Sequence, residues 1–177
     1  MITLTPYTHA DRDAYISLYE QAFPACERKP PEFMLTDRDY DLWVISTPEV
    51  RVAGMVITVR HGDLVLLDYL AVSPELRGQG IGHEVLPLVR RQYTDAHLFL
   101  EIEEPDESAD NAGQRRRRKA FYLSAGLVEC GVRVRMYGTD MELLAYPEDA
   151  PCVTFEGYTA LVAEKFPDSM SLPEIKS

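Results

Sequence analysis

The stretch 64–83, LVLLDYLAVSPELRGQGIGH, constrains the fold more than any other part of the chain. Residues 64–72 have the length and apolarity of a buried strand, which Ser73-Pro74 ends. Arg77-Gly78-Gln79-Gly80-Ile81-Gly82 then opens a helix. With no Cβ in the way, glycines at alternate positions let the main chain come within bonding distance of a ligand. The first N–H groups of a helix lack internal partners, and the helix dipole adds partial positive charge there. The segment therefore predicts a phosphate or pyrophosphate site, and with it a phosphorylated cofactor.

Two glycine-rich patterns fit poorly. A P-loop ends in Gly-Lys-Ser/Thr, whereas Gly82 is followed by His83 and Glu84, leaving no lysine for a γ-phosphate. A dinucleotide fold would use an acid of the next strand, and Glu101 or Glu103 of HLFLEIE stands at about the right distance. Against it, the glycines run G-x-G-x-G, and residues 73–76 separate them from the strand.

The remaining periodicities predict a strand at 2–5 and a helix capped by Thr8, with Ala14, Leu18 and Ala22 on one stripe. Pro24, Pro30 and Pro31 interrupt the chain before a short second helix in PEFMLTDRD. Strands follow at 42–46, 52–60 and 64–72, then a helix at 79–93 carrying Ile81, Val85, Leu88 and Val89 on its apolar stripe. A strand at 97–103, a helix at 114–125 and a hairpin, 128–136 with 141–146, turning around residues 137–140 come next. A last helix is predicted at 154–166, with frayed chain from Pro167 onward. This order describes a mixed α/β fold, a mostly antiparallel central sheet flanked by helices.

At 177 residues the chain is expected to form one domain with a real core. Its N-terminus has no basic start and no apolar h-region, and Asp68 interrupts its longest apolar stretch, so neither a signal peptide nor a membrane span is expected. Cys26, Cys130 and Cys152 are odd in number and widely spaced, which fits a reducing cytoplasm better than a disulfide framework or zinc site. The four histidines do not cluster, and no metal site is expected. The net charge of −11 disfavours nucleic acid and anionic lipid and would attract a cationic partner.

Two blocks carry a family resemblance. Residues 72–82, VSPELRGQGIG, resemble the acetyl-CoA-binding motif of the GNAT family of N-acetyltransferases, and residues 121–127, FYLSAGL, are similar to its "FY-x-x-x-GF" segment. They occur in the family's order with a strand between them, over residues 1–147; residues 148–177 have no counterpart and form an extension expected to pack on the same domain. The resemblance implies a GNAT-like acyl-CoA N-acyltransferase fold with acetyl-CoA as co-substrate. It assigns the cofactor to the main chain of Leu70, Ala71 and Val72, to Arg77 and to the loop of Gly78, Gln79, Gly80, Ile81, Gly82 and His83.

Acetyl transfer to an amine needs a group to take the amine proton, donors for the oxyanion and a proton for the departing thiolate. Tyr122 matches the family's tyrosine acid. On the strand 97–103, Phe99, Glu101 and Glu103 share one face, and Leu-Glu-Ile resembles the Leu-Glu-Val of members that use this glutamate as base, which makes Glu101 the candidate. Asp68, in the preceding strand, is its rival. The family's asparagine, seven residues before the tyrosine, is replaced here by Arg115, which could instead meet a CoA phosphate. The run 115–119, RRRRK, could resemble a nucleic-acid patch, but in an acidic chain it reads as part cofactor-facing and part solvated.

The reading is thus an acetyl-CoA-dependent N-acetyltransferase working by direct transfer on a small-molecule amine, as monomer or homodimer in the cytoplasm, with neither nucleic acid nor membrane as partner. Its alternative is a non-catalytic acyl-CoA-binding protein on the same scaffold. Glu32, Asp37, Asp39, Asp41 and Asp140 fall in segments that enclose the acceptor in the family, and they favour a cationic amine.

Overall fold

The computed structural model describes residues 1–25, 27–136, 138–166 and, by backbone alone, 174–175. Cys26, Tyr137 at the hairpin turn and the stretch 167–173, expected to be frayed, lie outside the described residues. The chain forms two compact units: Met1–Val59 with Leu67–Thr94, and Arg60–Leu66 with Asp95–Ser177.

The first unit holds β1 (Thr3–Pro6), α1 (Arg12–Ala22), α2 (Pro31–Thr36), β2 (Tyr40–Ser46), most of β3 (Gly54–His61) and of β4 (Leu64–Val72), and α3 (Ile81–Gln92). The strands β1, β2 and β3 are antiparallel neighbours with registers Thr3↔Ser46 and Tyr40↔Val59, and β4 lies beside β3. Met55, Val56, Ile57 and Val59 are all fully buried, so β3 is covered on both faces and reads as a continuous apolar run.

Helix α1 buries Tyr15, Leu18 and Tyr19 rather than the expected stripe of Ala14, Leu18 and Ala22, and Ala14 is exposed. Each tyrosine takes far more apolar area out of water than an alanine, and Tyr15 settles its hydroxyl by donating to the Val56 carbonyl at 3.0 Å. Ahead of α1, the Thr8 N–H donates to the Asp11 carboxylate at 3.0 Å, and Arg51 grips the same carboxylate through Nε at 2.9 Å and Nη2 at 3.0 Å. Helix α3 buries Ile81, Val85, Leu86 and Val89, so Leu86 takes the place expected of Leu88. It continues through Pro87, which has no N–H to give the His83 carbonyl.

The second unit takes in the end of β3 and the start of β4, whose first residues pair in parallel with β5 (His97–Glu103). β5 is antiparallel to β7 (Thr139–Ala145), and β7 to β6 (Val128–Met136). A two-residue strand, β8 (Glu174–Ile175), adds to β6 in a stretch the sequence left without structure. The helices of this unit are α4 (Ala112–Ser124) and α5 (Phe155–Lys165). Thr154 caps α5 by accepting the Gly157 N–H at 3.1 Å, and Tyr158, Leu161 and Val162 on its inner face are fully buried. Most of the basic run on α4 is spent within the unit. Arg115 and Arg118 pair with Glu103, Arg116 with Glu107, and Lys119 with Glu129 and the buried Glu142.

In each unit the strands pair mostly antiparallel and helices pack on them, which is the expected mixed α/β class. Among the described residues no helix is long and apolar enough to cross a membrane.

Candidate active site

The glycine loop of the first unit has the geometry its sequence implies. Gly78 and Gly80 stand at φ of +76° and +82°, left-handed values that a side chain would strain. The carbonyl of Gly80, N-cap of α3, accepts the His83 and Glu84 N–H groups at 3.0 and 3.2 Å. The preceding amides, of Gly78, Gln79, Gly80, Ile81 and Gly82, donate to no acceptor among the described residues. A Cβ on Gly78 or Gly80 would meet nothing within 4 Å, so the space over the loop is open. Consecutive unspent N–H groups at a helix start suit an anion of several oxygens. Arg77 is exposed and turns Nε back onto the Val72 carbonyl at 3.1 Å, while His83 is exposed on the first turn of α3.

Upstream of this loop, β4 pairs with β5 only at Leu64, Val65 and Leu66. Past Leu66 no pairing on the edge opposite β3 is found among the described residues, so Leu70, Ala71 and Val72 have main-chain groups there that no strand takes up. On the β3 side the strands are close: a Cβ on Gly54 would sit 2.7 Å from the Ala71 carbonyl.

Tyr122 lies near the end of α4, in the second unit, edge-on to Phe121 with ring centroids 4.9 Å apart. Burial pushes its phenol up to about 12, with the positive charge of Arg118 pulling the other way. Its hydroxyl has no hydrogen-bond partner among the described residues. It is thus protonated at neutral pH with its donor unspent.

Glu101, on β5 of the same unit, accepts a hydrogen bond from the Tyr158 hydroxyl, which also lies 3.2 Å from the Met136 sulfur. Phe99 packs edge-on against Tyr158 at 6.2 Å, so the face of β5 that bears Phe99 and Glu101 is the one α5 covers. Sequence reasoning missed Tyr158. The signal was present, since a tyrosine on a buried 158/161/162 stripe needs an acceptor.

The rival base, Asp68, sits on β4 in the first unit, with its side chain 8% exposed and Lys29 Nζ 2.6 Å from Oδ2. Arg115 is held by Glu103 at 2.9 Å, by Asn111 at 2.7 Å and by the Glu104 carbonyl at 3.3 Å. With its side chain 14% exposed, it serves the joint between α4 and β5 before any ligand.

The acids expected near the acceptor have local partners. Arg12 lies 3.4 Å from Glu32, the Tyr93 hydroxyl donates to Asp41 at 2.8 Å, and Arg135 donates to Asp140 at 2.8 Å. The Asp37 carboxylate accepts the Asp39 N–H at 2.9 Å.

Comparison with known proteins points to one family. The sequence model of the acetyltransferase (GNAT) family matches residues 7–116. Among curated proteins none matches the chain. Solved structures with a similar fold include a Bacteroides thetaiotaomicron protein assigned to the GNAT family (TM-score 0.66, 20% identity, 81% of this chain and 86% of that one). Another is the ribosomal-protein-S18-alanine N-acetyltransferase of Escherichia coli (TM-score 0.60, 25% identity, 83% and 94%). A third is the spermidine N-acetyltransferase of Vibrio cholerae, in complex with CoA and spermine (TM-score 0.65, 12% identity, 85% and 98%). With the family matched over more than half its length, the chain belongs to the GNAT acetyltransferase family and is an acyltransferase of the GNAT type.

Proposed function

We propose that the chain transfers an acetyl group from acetyl-CoA to a primary amine of a small, cationic acceptor by direct attack. The observation that carries the cofactor assignment is the run of five amides, 78–82, with no acceptor among the described residues. They would hold the pyrophosphate, with Arg77 and His83 beside them, while the main chain of Leu70, Ala71 and Val72 pairs with the pantetheine arm. Arg115 is the weakest member of this set, because Glu103 already neutralises it.

In the transfer, the acceptor's ammonium first gives a proton to Glu101, directly or through a water, and the freed lone pair attacks the thioester carbonyl carbon. The C–N bond forms, the C–S bond breaks, and the second proton on the nitrogen leaves to solvent. The electron pair of the broken bond leaves on sulfur as a thiolate, for which the Tyr122 O–H is the candidate donor. A phenol held at about 12 stays protonated, but full transfer to a thiolate of ordinary pKa ~8.5 is uphill. Tyr122 then acts first as a hydrogen-bond donor to the charge growing on sulfur. The net charge of −11 and the S18-alanine and spermidine acetyltransferases among the neighbours both support an amine acceptor, and the charge supports a cationic one.

The test uses two substitutions at one position. Gly80→Ala and Gly80→Glu impose the same left-handed strain, but only the second adds a carboxylate over the amides. Acetyl-CoA at about a hundred times its Kd should stabilise the wild type by ~2.7 kcal/mol in thermal melts. Gly80→Ala should keep most of this response and Gly80→Glu should lose it. A wild type whose melting is indifferent to saturating acetyl-CoA would end this reading.

A further inference from the structure

Lys29 lies between α1 and α2, held through both its main chain and its side chain. Its N–H donates to the Tyr19 hydroxyl at 2.8 Å and lies 3.3 Å from that of Tyr69, and its carbonyl accepts from Tyr19 at 3.2 Å. Tyr69 also donates to the Glu27 carbonyl at 2.7 Å. The clamp sends the side chain to β4. Nζ stops 2.6 Å from Asp68 Oδ2 and 5.0 Å from the centre of the Tyr69 ring, a cation–π distance. The Asp68 side chain is 8% exposed and that of Lys29 23%, so solvent reaches the ammonium more than the carboxylate. Tyr40 stands by: it is 6% exposed, its hydroxyl has no partner among the described residues, and its phenol is raised first by burial and then by the Asp68 charge.

A buried carboxylate, an aromatic face and an unspent hydroxyl make a receptor for R–NH3⁺, which offers three donors and a compact charge. The position on β4 says what that receptor is for, if the acetyl-CoA reading above is granted. The pyrophosphate loop follows the C-terminal end of β4, so an arm paired with Val72, Ala71 and Leu70 runs back along the strand. Its thioester end then points towards Asp68, two residues further on.

We propose that Asp68, with the Tyr69 ring and the Tyr40 hydroxyl, is the subsite for the acceptor's primary ammonium, and that Lys29 fills it until an acceptor displaces it. The chain's own lysine is then a stand-in for the substrate. Acceptors must compete with a tethered ammonium, so simple monoamines bind weakly. Those whose second charge finds another anchor are preferred.

Chemical rescue tests this without acetyl-CoA. Lys29→Ala leaves Asp68 buried and unpaired, which destabilises the fold. Butylammonium chloride at about 50 mM should raise the melting temperature of Lys29→Ala by several degrees over equal sodium chloride. In the wild type and in Lys29→Ala/Asp68→Asn the two salts should act alike. Equal effects of the two salts on Lys29→Ala would overturn the proposal, as would rescue that persists without the Asp68 carboxylate. Should Lys29→Ala not fold, Lys29→Arg decides: its forked guanidinium holds the carboxylate harder, and the KM for butylamine and for spermidine should rise about tenfold with the acetyl-CoA-induced shift in melting unchanged. An unaltered KM there would overturn the subsite. A missing acetyl-CoA shift in the wild type would instead sink the cofactor reading, leaving the rescue result to judge Asp68 by itself.

Discussion

Tyr122 and Glu101 pose opposite problems for the same reaction. Tyr122 needs its proton and keeps it, because burial holds the phenol at about 12. Replacing it by Phe should lower kcat about 100-fold or more with little change in acetyl-CoA affinity, the range of a lost donor to charge developing in the transition state. Glu101 must be unprotonated to act as a base, and its carboxylate already accepts the Tyr158 O–H. If Glu101 is the base, Glu101→Gln should remove the acidic limb of the kcat/KM–pH profile while Asp68→Asn leaves that limb in place. The reverse pattern would make Asp68 the base and Glu101 an anchor for α5. The two aspartates with the clearest local grip teach a related point. Lys29 and Arg51 each reach across about 40 residues of sequence to a buried carboxylate, and no spacing in the chain announces either contact.

At the scale of elements, the strand, loop and helix of residues 64–92 were legible because backbone chemistry alone specifies them: glycines where φ is positive, and an apolar stripe along α3. The errors arose where packing chose between similar residues, as with Tyr15 over Ala14 and Leu86 over Leu88. The C-terminal helix was legible as a helix but not as the cover of β5, since the Tyr158–Glu101 contact spans 57 positions. Tyr158, Leu161 and Val162 are fully buried, each contributing about 1.5–3 kcal/mol by leaving water. Their sum is a large share of the ~5–15 kcal/mol that holds an ordinary domain together. We therefore propose that residues 148–177 belong to the same domain as 1–147. A chain cut after Pro147 should lose its cooperative melting transition, and a truncated chain that melts like the full one would refute this. The join between α1 and the loop after β2 makes a pH prediction. The Arg51 hydrogen bonds hold the Asp11 carboxyl below its ordinary value of 3.8, against the opposing effect of burial. A depressed carboxylate stabilises the fold above its unfolded pKa, and that stability is lost as pH falls through the folded value. In urea titrations the wild type should lose more stability than Arg51→Met between about pH 5 and pH 3, since the variant has already given up the interaction.

Over the whole molecule, 29 acidic residues oppose 18 basic ones, and the structure shows how the bases are spent. Arg115, Arg116, Arg118 and Lys119 on α4 all face glutamates, so the longest basic run contributes little outward positive field. The excess of acid is therefore felt outside the protein. Asp41 is exposed, and Asp37 and Asp39 are partly so, in the segment that borders the acceptor in the family. A polyamine or aminosugar approaching this surface would be concentrated by its field, whereas an anionic acceptor would be repelled. Raising ionic strength from about 0.01 to 0.15 M shrinks the screening length from ~30 to ~8 Å, removing the long-range part of that attraction while sparing close contacts such as an ammonium on Asp68. We expect kcat/KM for a cationic acceptor to fall severalfold across this range, mostly through KM, with acetyl-CoA kept saturating so that its own phosphates do not confuse the result. Neutralising the surface acids by Asp37→Asn and Asp41→Asn together should flatten the salt response, whereas Lys29→Arg should raise KM and leave the slope unchanged. If the slope is flat in the wild type, the acidic surface serves solubility alone and selection of the amine rests on close contacts such as Asp68; a best acceptor that is neutral or anionic would remove the charge argument altogether.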